Sequence, residues 1–461
     1  MSVLASFMVP HPPMIVPAVG KGSEAQITAT TEAYQRVAEE AAALKPETII
    51  ISSPHSIMYS DYFHISPGKS ARGSFRQFRA PEVSFRESYD TELVSEICRL
   101  ADADGLRAGT LGERDPALDH GTMVPLYFIR QKYDGGKIVR IGLSGLPLTD
   151  HYHLGELIER AADALNRRVV FIASGDLSHK LQDYGPYGFA KEGPEYDERI
   201  MDVMGRAAFG ELFDFSENFC EKAAECGHRS FVIMAGLWDG LRVKVEKLSH
   251  EDVTGVGYGI CTFYPEGPSE ERHFLERYLA EQEKERNKQK ESEDAFVRLA
   301  RASVESFIRN RRVLQLPKDL PAELLHTQAG AFVSIHEHGR LRGCIGTFLP
   351  TASCLGEEII QNAVSACSRD PRFDPVTEDE LKYLEINVDV LSEPEPIDSK
   401  NQLDVKKYGV IVTSGSRRGL LLPDLEGVDT VEQQIDIARR KAGIREGEKI
   451  RLQRFEVVRH K

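Results

Sequence analysis

An α/β domain followed by an α+β domain is the architecture this sequence predicts, with boundaries at 1–267, a charged connector at 268–293 and a second domain at 294–461. Three observations carry it. From 1 to about 265, short β-branched runs alternate with helical periodicity, the pattern of strands joined through helices into an α/β sheet. The stretch SEERHFLERYLAEQEKERNKQKESEDAF then turns dense in Glu, Lys and Arg and poor in large apolar residues after Leu279, which reads as a solvated helix or spacer. Beyond it the apolar runs come in hairpin-like pairs, with no sign of parallel crossovers. A chain of 461 residues also exceeds one ordinary core.

Element by element, VLASFMVP reads as a strand, TEAYQRVAEEAAALKP as an amphipathic helix ending before Pro46, and TIIISSPHS as a buried strand running into a loop. KIVRIGLSG and RVVFIASGDLS repeat the motif of a β-branched run followed by Gly, Ser and polar residues. FVIMAGLWDGL reads as an apolar helix. In the second domain AFVRLARASVESFI is an amphipathic helix, and AFVSIHEHGRLRGCIGTFLP a hairpin turning at HGR. LEINVDVLS is a half-buried strand, YGVIVTSGSRRGLLLP a second hairpin, and DTVEQQIDIARRKAGI a helix ended by Gly443.

Composition excludes several classes. A net charge of -14 argues against a general nucleic-acid binder, which needs clustered Lys and Arg. No apolar run approaches the ~20 residues of a membrane helix. The start MSVLASFMVPHPPM lacks a basic leader region and is cut by prolines. Seven scattered cysteines without a CxxC pair suit a reducing compartment, so a cytoplasmic protein is expected.

The chemistry-bearing residues stand at strand exits. His11 follows VLASFMVP, His55 follows TIIISSP and His179 follows RVVFIASGDLS, while His120 lies in ALDHGTMVPL, read as a loop before an apolar helix. Parallel strands would bring these four imidazoles to one face of the sheet, and neutral imidazole serves as metal ligand and as acid/base near neutral pH. His64, His151, His153 and His250 lack that context and are read as structural or exposed. A mononuclear site of two histidines and a carboxylate leaves positions for substrate. Its carboxylate candidates are Asp61, Asp119, Asp176 and Glu225. For Asp119 and Asp176 the alternative is orienting a neighbouring ring, and for Glu225 an ordinary helix-end role.

PHPPM with His11, SSPHS with His55, LDHGTMVPL with His120 and GDLSHKL with His179 resemble, in order and spacing over about 1–265, the motif series of the class III, LigB-type extradiol dioxygenases. The resemblance implies His11, His55 and Glu225 as ligands of Fe(2+), with Zn(2+) or Cu as alternatives. His120 and His179 become the acid/base pair, with Asp176 beside them, acting on a small, aromatic substrate. At AAECGHRSF the chain looks more like the Memo branch of that superfamily, where a cysteine stands, so Cys226 is the alternative third ligand. That branch implies a second reading: a zinc-dependent hydrolase or lyase, or a metal-binding interaction protein.

GRLRGCIG, NAVSACSRDPRF, INVDVLSEPEPI and GSRRGLLLP are similar to the AMMECR family over about 294–461. Arg342 and Cys344 on one hairpin, Arg372 after a DP turn, and Arg417 and Arg418 on the second hairpin's turn form a cluster suited to an anionic ligand. The alternative reading is tight glycine packing with Cys344 buried. Together the two domains resemble the AmmeMemoRadiSam system of prokaryotes, which implies a separate radical SAM partner, since this chain has no CxxxCxxC motif.

Overall fold

The computed structural model describes residues 2–114, 116–337, 339–425 and 427–461. His338, in the predicted HGR turn, lies outside the described residues. The chain divides into two compact units, Met1–Glu281 and Gln282–Lys461.

The first unit is built on a six-stranded sheet. Its spatial order is Lys137–Gly142, Thr48–Ser53, Val169–Ser174, Val3–Val9, Tyr258–Pro268 and Leu241–Glu251. The first four strands are parallel and the last two antiparallel. TIIISS and VVFIAS are buried at every position, because a parallel sheet covered on both faces needs apolar residues on both. The strand pleat then deals alternate residues to two cores. Ile50, Val139 and Phe171 face the helices Thr91–Ala103, Leu148–Ala164, Glu192–Gly205 and His228–Gly236, whereas Ile49, Ile51, Val170 and Ile172 face Thr28–Leu44 and His120–Lys132. A side hairpin, Ser70–Phe75 with Ala80–Ser88, carries Phe78 at its turn. None of the helices formed by the described residues is long and apolar enough to cross a membrane.

One buried histidine of this unit gives it a pH signature. Ser144 N–H donates to His151 Nε2 at 3.4 Å, which leaves Nδ1 as the donor to the Pro147 carbonyl at 3.0 Å. Burial pulls the pKa of this imidazole from 6.5 down to about 3. Between those values the unfolded chain binds a proton that the folded chain refuses, so stability falls as pH falls, by about 1.4 kcal/mol per pH unit for this group. His151→Gln is expected to flatten the acid limb of unfolding free energy against pH by one proton. An unchanged slope would assign the acid sensitivity elsewhere.

The second unit is an α+β arrangement. Its sheet runs Arg340–Gly346, Ala331–Glu337, Leu384–Leu391, Arg451–His460, Tyr408–Ser414 and Arg417–Leu421, with Glu395–Ile397 pairing on Arg451–His460. Every one of these pairings is antiparallel. Helices Ala295–Asn310 and Leu355–Ser368 pack on Val333, Ile335 and Val388, and Val431–Lys441 contributes Ala438 to the core around Val410 and Val412.

The charge-dense stretch is a helix, Phe274–Ser292, in which only Leu275 is buried. With little apolar surface to hold it, such a helix frays readily. Limited proteolysis is expected to cut between Pro268 and Glu293 and to release two folded pieces. Fragments that unfold once separated would show the two units to be interdependent.

Candidate metal centre

Three adjacent parallel strands, ending at Ser53, Ser174 and Val9, deliver the site at their C-terminal ends, where α/β sheets place ligands. His11 follows the Val3–Val9 strand and is 1% exposed. Tyr34 on the Thr28–Leu44 helix donates its hydroxyl to the Pro10 carbonyl, and the His11 N–H donates to Asp176 Oδ1 at 2.7 Å. Ser174 Oγ spends its single proton on the Gly121 carbonyl at 2.6 Å, so toward His11 Nδ1, 3.0 Å away, it accepts. That puts the His11 proton on Nδ1 and turns the Nε2 lone pair into the site.

His55 reaches the same point from the Thr48–Ser53 strand, with its Nε2 3.0 Å from His11 Nε2. Its backbone N–H donates to Ser53 Oγ at 3.2 Å, and Ser53 Oγ donates to Asp119 Oδ1 at 2.6 Å. Asp119 also caps the His120–Lys132 helix, accepting from Thr122 N at 3.0 Å and Thr122 Oγ1 at 2.9 Å, and lies 3.8 Å from the buried Arg140. One carboxylate therefore ties the His55 loop to the helix that begins with His120. This corrects the reading of His120 as a loop residue: the Asp119 cap makes it the first residue of the helix. The rings of His120 and His55 lie 4.0 Å apart, and the Phe78 ring stands edge-on to His120 at 5.5 Å.

The third side comes from the turn between helices Glu217–Ala223 and His228–Gly236. Gly175 and Gly227 pack backbone to backbone there: a Cβ on Gly175 would come within 2.1 Å of Gly227 Cα. That approach brings Cys226 Sγ to 3.6 Å from His11 Nε2 and to 3.3 Å from the Asp176 N–H, from which it accepts. Its neighbour Glu225 turns away, accepting the His228 N–H at 2.6 Å as a helix-end carboxylate. The structure thus groups His11, His55 and Cys226, with a second, overlapping group of Asp176, His179 and Cys226. Of the two third-ligand candidates, Cys226 lies with His11 and His55, while Glu225 is engaged by the His228 N–H.

His179 lies with its Nε2 4.0 Å from Asp176 Oδ2. Asp61 pairs with Arg107 on the surface. His64, His151, His153 and His250 each bond elsewhere, to Glu113, Pro147, Glu156 and Asp197.

The donor separations fit a metal ion. Two imidazole nitrogens bound at about 2.1 Å to one ion lie roughly 3–3.4 Å apart, and a nitrogen and a thiolate roughly 3.5 Å. The separations here are 3.0 and 3.6 Å. Burial lowers the pKa of His11 well below 6.5, with His55 adding to it, and lowers that of His120 to about 3. Burial also lowers His55 and His179. Four neutral rings converge, all competent as ligands or bases. Burial, with Asp176 behind it, pushes the Cys226 thiol well above its ordinary range, so thiolate forms there only with a cation beside it.

In the second unit the expected ligand cluster is internally matched. Arg342 Nε and Nη2 grip Glu380 at 2.8 and 3.2 Å, and Nη1 donates to the Asp374 carbonyl at 2.7 Å. Arg372 pairs with Asp370 at 2.7 Å, and the same carboxylate accepts the Cys344 N–H at 2.9 Å. Arg417 pairs with Glu448, and Arg418 lies over the Phe348 ring at 5.3 Å. Arg342 already has a charge partner in Glu380.

Several residues that build the centre escaped the sequence reading. Ser174, Ser53 and Tyr34 carry no distinctive local pattern. Arg140 does, as a lone arginine inside the apolar run KIVRIG.

A sheet with parallel strand exits carrying His11, His55 and His179, and a helix opening on Asp119-His120, define the class. The chain belongs to the family described as the catalytic LigB subunit of aromatic ring-opening dioxygenase, whose model matches residues 5–261, and it carries an AMMECR1 domain matched over residues 297–460. Protein CA_C1420 of Clostridium acetobutylicum is 39% identical over 478 residues, covering 100% of both chains. A protein of Thermotoga maritima is 50% identical over 171 residues, covering 37% of this chain and 98% of its own. Among solved structures, the uncharacterized protein PH0010 from Pyrococcus horikoshii is 32% identical, covering 36% of this chain and 88% of its own, with a TM-score of 0.34.

Proposed function

We propose that the first unit is a metal-dependent oxygenase of the extradiol type that takes a small aromatic substrate through adjacent oxygens. His11, His55 and Cys226 would hold Fe(2+), and His120 and His179 would move protons. The observation that carries this reading is the convergence of three candidate metal donors with two further imidazoles of lowered pKa at the C-terminal end of the parallel strands. The bound iron would supply adjacent coordination positions for substrate and O2. The protein's own part is to hold both histidines unprotonated, so that either can accept a hydroxyl proton from the incoming substrate. The Phe78 ring stands edge-on to His120 on that side.

The Cys226 thiol favours a second reading on the same scaffold, because thiolate ligands suit Zn(2+) and Cu(I) as well as iron. Zinc would make the site a hydrolase or lyase through an activated water. Metal analysis of anaerobically purified protein, followed by O2 uptake with a panel of catechols, separates the two. Stoichiometric iron with O2 consumption supports the oxygenase; stoichiometric zinc without O2 uptake overturns it. In either case His120→Ala and His179→Ala are expected to keep the metal and to lose roughly 10²–10⁴ in turnover. Metal loss in both variants with turnover per bound metal unchanged would reverse the assignment of ligands and proton carriers.

A further inference from the structure

The His11 ring is fixed at Nδ1 by Ser174, and His179 is different. His179 Nε2 is buried and has no hydrogen-bond partner among the described residues, and the nearest carboxylate oxygen, on Asp176, is 4.0 Å away. What lies on the ring is Tyr187, stacked at 5.0 Å between centroids and 28° between planes. Tyr187 itself is 59% exposed.

The loop that carries Tyr187 is anchored at its base and again in its middle. Leu181 and Phe189 close it as an antiparallel bridge. Gly185 sits backbone to backbone on Gly255, where a Cβ would come within 2.9 Å of Gly255 Cα, and its N–H donates to the Gln182 carbonyl at 2.9 Å. Tyr184 donates to the Val253 carbonyl at 3.4 Å. The anchored loop thus presents a tyrosine ring to the face of an imidazole whose buried Nε2 has no hydrogen-bond partner among the described residues.

We infer that Tyr187 is the positioning residue for His179: its ring, through the stack, sets the direction in which His179 Nε2 meets the substrate. The inference rests on the reading of His179 as a proton carrier. A histidine acting as base needs a partner that fixes its ring, commonly a carboxylate or carbonyl on the second nitrogen. Here an aromatic face takes that part, and offset stacking of planar rings is directional enough to do so. The tyrosine hydroxyl plays no role in this arrangement, so phenylalanine is expected to replace it.

The test uses the full-length, metal-loaded protein and the variants Tyr187→Phe and Tyr187→Ala. In the zinc-substituted, diamagnetic form, imidazole NMR of ¹³C-labelled histidine reads the stack directly. The His179 ring protons are expected upfield in the wild type and in Tyr187→Phe, and displaced downfield in Tyr187→Ala, with metal content equal in all three. With the iron form and 4-nitrocatechol as probe, Tyr187→Ala is expected to lose roughly 10²-fold in kcat. KM should change far less, and Tyr187→Phe should stay near wild type. Unchanged His179 shifts in Tyr187→Ala would overturn the inference, as would a loss confined to KM. A wild-type protein that neither binds nor oxidises the probe would overturn the proton-carrier reading, while the NMR arm still decides whether Tyr187 sets the ring.

Discussion

A Cys226→Ser protein is expected to bind its metal at least ~100-fold more weakly than the wild type, beyond the roughly 10–100-fold that loss of an outer partner costs. His11→Ala should behave alike, because it removes the donor whose Nε2 lies 3.0 Å from His55 Nε2 and 3.6 Å from Cys226 Sγ. Glu225→Gln should retain the metal, since that carboxylate is engaged by the His228 N–H at 2.6 Å and burial pushes its pKa up to about 7, a poor state for a ligand. Metal stoichiometry of the three variants, with circular dichroism to confirm the fold, decides the question. A metal-free Glu225→Gln beside a metal-replete Cys226→Ser would restore the carboxylate to the centre.

Arg342→Ala is expected to destabilise the second unit by about 1–3 kcal/mol, the range for leaving a partly buried hydrogen-bonded partner unmatched. The guanidinium satisfies both oxygens of Glu380 and the carbonyl of Asp374, and the two side chains are only 16% and 21% exposed. Its removal leaves Glu380 half-buried with the Thr377 N–H and hydroxyl as partners. Removing both charges together, in Arg342→Met with Glu380→Gln, should recover a large part of the loss, because no unmatched charge then remains. Denaturant unfolding of the second unit measures both, and metal content at the first unit should not move. Wild-type stability in Arg342→Ala would show the pair to be dispensable and reopen this arginine to an external ligand.

Much of the centre is legible in the sequence because it depends on local order. A β-branched run followed by Pro, Ser or Gly announces a strand and its exit, so His11, His55 and His179 can be placed at strand ends from short segments alone. The Asp119-His120 pair is legible as well, although its local meaning is a helix start rather than a loop. The hairpin around Arg342 and Cys344 is equally visible as a hairpin.

Chemical state is another matter, since distant residues set it. Glu225 and Cys226 are neighbours, and it is the folded turn, with Gly227 packed on Gly175 and Glu225 held by the His228 N–H, that leaves Cys226 beside His11. The tautomer of His11 hangs on Ser174, 163 positions away, and the charge of Arg342 is matched by Glu380, 38 positions away. The sequence by itself determined the two fold classes and the strand exits that carry the histidines, because periodicity and turn chemistry act over a few residues. The tertiary structure alone decided which donor side chains lie together, which rings burial holds below their ordinary pKa and which arginines already have a carboxylate partner, because burial and hydrogen bonding depend on atoms that only folding brings within 3 or 4 Å.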